Sequence, residues 1–371
     1  MRYHALATDY DGTLAHDGKV ASHILDALKR LKASGRKLIL VTGRELDELK
    51  SIFPEINLFD RVVAENGALL YRPATLEEKL LGEPPPAAFV ESLKRKGVAP
   101  MSVGRVIIAT WEPHQHAVLE SIKELSLERQ VIFNKGAVMV LPSGINKAKG
   151  LEAALEELCL SLHNVVAVGD AENDNAMLEA SECAVAVSNA LPRLKENADW
   201  VTHADHGDGV VELIERLLEN DLSQVKFQQP DKKQLALGTH SDGSAVQICP
   251  YGVSMLLAGT SGGGKSTFTT AFLERLVDMK YQFCLVDPEG DYLTLEGVIV
   301  LGDTEHPPVI EEVIKLLEKP GQSTAVCTLA IPFQDRPAFF HKLLPAILEL
   351  RSRTGRPHWL ILDEAHHLLP A

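Results

Sequence analysis

The chain has 371 residues, enough for two or three domains at roughly 150 residues each. Its 45% hydrophobic and 24% charged content supports real cores and is ordinary for a soluble protein. The net charge is −14, with 24 basic against 34 acidic side chains in residues 1–221 and 13 against 17 thereafter, so neither part reads as a free-standing basic nucleic-acid binder.

The five cysteines (Cys159, Cys183, Cys249, Cys284, Cys327) are odd in number and show no CxxC spacing. Most lie in apolar stretches, which predicts buried free thiols and a reducing compartment. Met1-Arg2-Tyr3-His4 runs straight into a strand-like segment without a signal-peptide pattern, and no apolar run approaches the ~20 residues of a membrane span. The expectation is a cytoplasmic protein with no membrane partner.

Residues 4–8 predict a strand. Residues 21–34 repeat apolar positions at helical spacing (Ile24, Leu25, Leu28, Leu31) and close at Gly35, and Lys37–Val41 predicts a second strand. This alternation predicts an α/β core with a parallel sheet. The character changes at Arg72, where Pro73, Pro84, Pro85 and Pro86 break the chain. Residues 73–141 then predict a small α+β insert, with helices at 87–96 and 114–127 and strands at 103–109, 130–133 and 137–141. The alternation resumes at Asn146–Leu158 and runs through a strand at Val165–Val168 to a last helix at 209–220. The expected core is therefore residues 1–72 and 142–221. Residues 222–234 are polar and predict a linker, and residues 235–371 form the remaining block. There, Leu235–Leu237 and Ala245–Ile248 flank Ser241-Asp242-Gly243-Ser244 as a hairpin. Ser254–Ala258 predicts a strand, and Thr267–Met279 a helix.

Asp9-Tyr10-Asp11-Gly12-Thr13-Leu14 ends the first strand. Positions i and i+2 of a strand share a face, so Asp9 and Asp11 can look into one cleft. Two carboxylates so close are expensive without a cation, and a bound Mg²⁺ relieves the repulsion. Asp9 then suits a nucleophile toward phosphorus, and Asp11 an acid and base. Thr42-Gly43-Arg44 follows the second strand with a hydroxyl and free N–H groups for phosphate oxygens. Lys147 opens a helix as a neutralising cation, and Gly169-Asp170-Ala171-Glu172-Asn173-Asp174 follows a further strand with metal-type carboxylates. Each piece alone is ordinary loop chemistry; four in this order, each at a strand end or helix start, point to phosphoryl transfer.

Residues 1–221 thereby resemble the haloacid dehalogenase (HAD) superfamily, in its Cof-like branch with a large cap inserted after the second motif. The resemblance implies a Mg²⁺-dependent phosphatase acting on a small phosphorylated substrate (sugar phosphates, phosphoglycolate) through an aspartyl-phosphate. It implies catalytic roles for Asp9, Asp11, Thr42 and Lys147, metal contacts from Asp9, Asp11, Asp170 and Asp174, and substrate contacts from Gly43, Arg44, Asn66 and Asn173. Glu65-Asn66-Gly67 would line the cleft. The insert would be the cap, small for this branch, in which Arg105, Trp111, His114, His116 and Asn134 are either substrate contacts or ordinary cap surface and core.

Gly259–Ser266 fits GxxxxGK[ST] between an apolar segment and a helix. Gly259, Gly262, Gly264, Lys265, Ser266 and Thr267 are the nucleotide-binding candidates. Trp359–Leu362 followed by Asp363-Glu364 reads as a Walker B strand, and Asp287-Pro-Glu-Gly-Asp291-Tyr ends another strand. Together these resemble the HerA–FtsK and conjugation-ATPase group, which implies a RecA-like domain, ATP as ligand and a homo-oligomeric ring. In that group a sensor strand lies between the P-loop and Walker B strands, and an arginine finger comes later. The sequence stops at Ala371, so the expectation is a fragment or a remnant, incomplete at its C-terminus, that binds nucleotide poorly and turns over ATP inefficiently. An ATP-driven nucleic-acid processor whose HAD part trims end phosphates stands as the alternative to the small-molecule phosphatase.

Overall fold

The computed structural model describes residues 1–225, 228, 234–260 and 262–369. The chain divides into two compact units, chiefly residues 2–158 with 162–228, and residues 229–371. Of the expected linker, residues 226, 227 and 229–233 lie outside the described residues.

The first unit runs β1 (Ala5–Thr8), α1 (Ser22–Ala33), β2 (Lys37–Val41), α2 (Leu46–Ile52), β3 (Arg61–Ala64), β4 (Leu69–Arg72) and β5 (Glu77–Leu80). It continues through α3 (Ala87–Arg95), β6 (Ser102–Val103), β7 (Ile108–Trp111), α4 (Gln115–Glu124), β8 (Arg129–Asn134) and β9 (Ala137–Pro142). It ends with α5 (Lys147–Glu157), β10 (Val165–Gly169), α6 (Asn175–Ala180), β11 (Cys183–Ala186), α7 (Pro192–Asn197), β12 (Trp200–Val201) and α8 (His206–Asn220).

One eight-stranded sheet takes the order β12-β11-β10-β1-β2-β3-β4-β5. Its first six members in that order pair in parallel, and β4 and β5 add antiparallel edges. The central strands are buried on both faces, as their continuous apolar runs require. Chain order reverses around β1, with β2 on one side and β10 on the other, so a crevice opens at their carboxyl ends. The core sheet continues past Arg72 into β5 before the chain leaves it.

The insert forms its own antiparallel sheet in the order β6-β7-β9-β8. The strand expected over 103–109 is two strands, β6 and β7, separated by a turn. Period-two alternation divides its faces. Ile108, Val138 and Val140 pack with Phe89 and Leu93 of α3 and Val118 of α4. Ala109, Trp111, Ala137 and Met139 turn the other way and line a cleft with Asp9, Arg44 and Lys147.

The second unit opens with the antiparallel hairpin β13 (Leu235–Thr239) and β14 (Ala245–Ile248). It then forms α9 (Lys265–Asp278), β15 (Phe283–Asp287), β16 (Val298–Leu301), α10 (Ile310–Leu317), β17 (Ser323–Cys327), α11 (Arg336–Thr354) and β18 (Trp359–Leu362). A parallel sheet takes the order β16-β17-β15-β18. Phe283 and Leu285 pack with Leu273 and Leu276 of α9 on one face, and Cys284 and Val286 pack with Val313 of α10 and Leu343 of α11 on the other.

The strand expected at Ser254–Ala258 does not form. A strand exists through its ladder, and this segment has no ladder partner among the described residues. Its apolar side chains stand open, Leu256 at 92% exposure. Three of the five cysteines, Cys183, Cys284 and Cys327, are buried; Cys159 and Cys249 are exposed. No helix among the described residues is long and apolar enough to cross a membrane.

Candidate active site

The carboxyl ends of β1, β2 and β10 bring the strand-end motifs together. Asp9 donates its backbone N–H to Val168 O at 3.1 Å, which levels the end of β1 with that of β10. Asp9, Asp170 and Asp174 are buried and offer ligand oxygens that all lie within 4.8 Å of one another. Asp174 Oδ2 is fixed by the backbone N–H groups of Asp170 and Ala171, each at 3.0 Å. Thr13 Oγ1 donates to Asp170 Oδ1 at 3.0 Å. Gly12 (φ 83°) allows this approach, because a Cβ there would stand 2.4 Å from Asp170 Oδ2.

Lys147 enters from the first turn of α5. Asn146 caps that helix, its side chain accepting from Lys149 N–H at 3.0 Å. The ammonium is fully buried and donates to Asp9 Oδ1 at 2.5 Å and Asp174 Oδ1 at 2.6 Å. A close backbone approach holds the helix start: a Cβ on Gly67 would stand 1.9 Å from Asn146 O, and one on Gly150 2.2 Å from Val63 Cγ1. At the other end of α5, Glu157 pairs with Arg61 of β3 and Arg72 of β4.

Burial first, and the Asp174 charge second, push the Asp9 carboxyl well above the usual carboxylate range. Burial works against the Lys147 ammonium, but Asp174 and Asp9 outweigh it and raise its pKa. Asp9 and Asp174 thus share the buried Lys147 ammonium, and Asp170 meets the half-exposed Lys135, two cations against three buried carboxylates. The excess negative charge and the closeness of the oxygens fit a hard divalent cation held by Asp9, Asp170 and Asp174.

Asp11 stands apart from that cluster. Both its oxygens accept from Arg44, Nε to Oδ2 and Nη2 to Oδ1, each at 2.7 Å. Arg44 also pairs with Glu48. Thr42 is buried, and its hydroxyl accepts from Arg44 N–H at 3.1 Å. Gly43 lines the cleft beside Asn173. Asn173 Nδ2 donates to Asn66 Oδ1 at 3.0 Å, yet Asn66 Nδ2 and Asn173 Oδ1 are buried without a partner. Leaving such groups unpaired costs about 1–3 kcal/mol each, which fits a ligand that supplies the missing atoms.

Glu65 and Asn66 adopt left-handed backbone (φ 52° and 55°). The kink buries the Glu65 carboxylate completely under the insert. Its Oε1 accepts from Arg105 N–H at 2.8 Å, and its Oε2 from Val106 and Ile107 N–H at 2.7 and 3.0 Å. Of the insert residues singled out from sequence, Trp111 and Asn134 line the cleft. Arg105 pairs instead with Asp47 and Glu78, and His114 Nε2 contacts Ala99 O. His116 does not line the cleft. Sequence reasoning passed over Lys135, whose ammonium donates to Asp170 Oδ2 at 2.7 Å. Its signal was the Asn134-Lys135-Gly136 turn between two strands.

In the second unit, α9 begins at Lys265 directly after Gly264, as a phosphate loop feeding a helix should. The Lys265 ammonium lies 3.4 Å from both Gly259 O and Thr260 O, folded onto its own loop. Gly262 and Gly264 take positive φ, and Ser266, Thr267 and Asp291 line one cleft. Asp363 and Glu364 follow β18; burial pushes the Asp363 carboxyl upward. Among the described residues no hydrogen bond or ion pair joins Lys265 or Ser266 to Asp363 or Glu364. Ser261, within the glycine loop, lies outside the described residues.

A family model for haloacid dehalogenase-like hydrolases matches residues 6–101 and 90–214. A second, for the central domain of helicase HerA, matches residues 236–346. A phosphoglycolate phosphatase of Methanothermobacter thermautotrophicus is 34% identical over 225 residues, covering 58% of this chain and 98% of the relative. Phosphoglycolate phosphatase 2 of Saccharolobus solfataricus is 30% identical over 224 residues, covering 59% of this chain and 94% of the relative. The solved HAD/COF-like hydrolase of Plasmodium vivax shares the fold at a TM-score of 0.51 and 20% identity, covering 59% of this chain and 96% of that one.

Proposed function

The chain belongs to the haloacid dehalogenase-like hydrolases and joins that part to a HerA-like P-loop ATPase central domain, and from this premise we propose that it hydrolyses a small phosphomonoester of the phosphoglycolate class. The observation that carries the reading is Lys147, buried in hydrogen bonds to both Asp9 and Asp174 at the mouth of the central strands. The names of the relatives support the substrate class.

Asp9 is the proposed nucleophile. One of its oxygens attacks phosphorus while Lys147 steadies the other and offsets charge on the phosphoryl oxygens. Thr42, Gly43 and the unpaired amide of Asn66 hold those oxygens, with Asn173 locking Asn66 in place. Asp11 gives a proton to the leaving oxygen and later takes one from the water that cleaves the aspartyl-phosphate. In this state both Asp11 oxygens are occupied by Arg44, so Arg44 must exchange Asp11 for the substrate before Asp11 acts. Asp9, Asp170 and Asp174 would hold Mg²⁺, with Asp11 beyond that group; the ion screens the repulsion between carboxylates and phosphate. The insert lines one side of a half-open cleft of about 550 Å³. That space suits a small ester and disfavours the competing reading, a nucleic-acid end.

The second unit is proposed to bind ATP through Lys265, Ser266 and Thr267 with Asp363 and Glu364 as the acidic partners, and its ring assembly stays a proposal from resemblance. The test is phosphate release from phosphoglycolate, sugar phosphates, nucleotides and 3′-phosphorylated oligonucleotides, with Asp9→Asn as control. Turnover of phosphoglycolate that disappears in Asp9→Asn is the expected result. Selective turnover of the oligonucleotide, or activity that survives in Asp9→Asn, overturns the reading.

A further inference from the structure

We propose that Lys135 determines specificity by pairing with a carboxylate on the leaving group of the substrate. The proposal rests on the phosphatase reading above and assigns the part of the molecule that reads the group beyond the phosphoryl oxygen.

Lys135 sits at the tip of the β8–β9 hairpin in left-handed backbone (φ 48°). The ladder beneath it pairs every residue from Arg129↔Pro142 to Asn134↔Ala137, so the tip is carried on a continuous ribbon. The ribbon delivers the ammonium to within 2.7 Å of Asp170 Oδ2, at the acidic cluster and in the cleft that Asp9 also lines.

Three cations line this cleft among the described residues: Arg44, Lys135 and Lys147. Lys147 is buried and committed to Asp9 and Asp174. Arg44 is held here by both oxygens of Asp11 and by Glu48, and on the reading above it passes from Asp11 to the phosphoryl end of the substrate. Lys135 differs from both: its side chain is 53% exposed, and among the described residues its one ion pair is with Asp170, while Asp9 and Asp174 attract it from farther off. Asp170 also belongs to the cluster that suits a divalent ion, so an ion held there would compete with the ammonium for the Asp170 carboxylate.

The remaining insert wall is mostly apolar, with Ile107, Ala109, Ala137 and Met139 facing the cleft. An anionic leaving group set against that wall loses hydration that the neutral polar side chains there (Ser102, Thr110, Asn134) replace only in part, and Lys135 is the one cation the insert brings to it among the described residues. A short leaving group bearing one carboxylate places its charge there and its methylene against the wall. A neutral leaving group gains nothing from the ammonium. A hydrogen bond between charged partners changes affinity by roughly tenfold to a hundredfold.

The test compares phosphoglycolate with hydroxyethyl phosphate, of similar length but without the carboxylate, on the full chain and on Lys135→Met and Lys135→Arg. The preference for phosphoglycolate in kcat/KM is expected to fall at least about tenfold in Lys135→Met, mainly through KM, and to be largely restored in Lys135→Arg. In an Asp9→Asn background, calorimetric affinity for phosphoglycolate should fall by a comparable factor when Lys135→Met is added. Equal losses on both esters would make Lys135 a partner of the phosphoryl group or of the acidic cluster and overturn the assignment. So would an unmoved preference, or a Lys135→Arg protein as impaired as Lys135→Met. A wild-type protein inert on both esters sinks the phosphatase reading together with this one; a wild-type protein active on both, with a preference that Lys135→Met does not shift, sinks this one alone.

Discussion

Replacing Glu65 by Gln tests whether the insert is fastened to the core by one buried carboxylate. The substitution keeps the shape of the side chain and removes its charge. In the native protein the two oxygens accept three backbone N–H groups from residues 105–107. Gln has one acceptor oxygen and one NH₂ group. If the oxygen keeps Val106 and Ile107, the NH₂ faces the Arg105 N–H donor to donor. One charge-assisted bond worth about 1.5–3 kcal/mol is then lost, and two others decline to neutral strength at about 0.5–1 kcal/mol each. The sum is about 2.5–5 kcal/mol, which for a unit of this size lowers Tm by roughly 5–20 °C. Glu65→Ala, which leaves all three N–H groups unpaired, should cost more. Thermal denaturation reads the loss, and hydrogen exchange at amides 105–107 localises it, with Glu65→Gln accelerating those amides ahead of β1 and β10. A shift below about 1 kcal/mol, or exchange at 105–107 that matches wild type, would refute the reasoning.

Gly150→Ala puts a methyl 2.2 Å from Val63 Cγ1 and 2.7 Å from Gly67 Cα; a loss of about 3 kcal/mol in denaturant unfolding is expected, with phosphatase activity falling too because the same turn carries Lys147. Glu157 is held down to about 2, first by its hydrogen bonds to Arg72 and then by Arg61. Because its folded value lies below the ordinary one near 4.5, its contribution is complete above pH 4.5 and is lost as pH falls toward 2. Glu157→Gln should therefore be less stable than wild type by about 1 kcal/mol at pH 6, after discounting for solvent screening, and the gap should close near pH 2 in urea titrations. In the second unit, fluorescent-nucleotide titration should show binding that Lys265→Ala removes; equal binding by Lys265→Ala would contradict the assignment of the glycine loop.

The α/β pattern was legible because β1, β2 and β10 are short apolar runs that end in polar chemistry. Asp9, Thr42 and Asp170 stand at those ends, and one crevice follows from the reversal of strand order around β1. Lys147 was legible as a lysine at a helix start. What could not be read was pairing through space. Nothing in Asp11-Gly12-Thr13 announces that Arg44 occupies both oxygens of Asp11, and nothing in Asn134-Lys135-Gly136 says that the ammonium reaches Asp170. Glu65 was legible as part of a cleft loop, but its three donors lie about 40 residues later in the chain. The segment 254–258 has the composition of a strand; composition supplies no partner, and without a ladder it remains coil.

The two-faced insert sheet separates two tasks by residue parity. On β7 and β9, Ile108, Val138 and Val140 serve the interior of the insert, while Ala109, Trp111, Ala137 and Met139 look onto the cleft. Selectivity can therefore drift by single codon changes at the second set while the first set stays untouched. Met139 and Ala109 also pack with Val106, Ile107 and Leu141, so a library confined to Trp111 and Ala137 would sample new leaving groups with the core left intact, which makes this small insert an evolvable module.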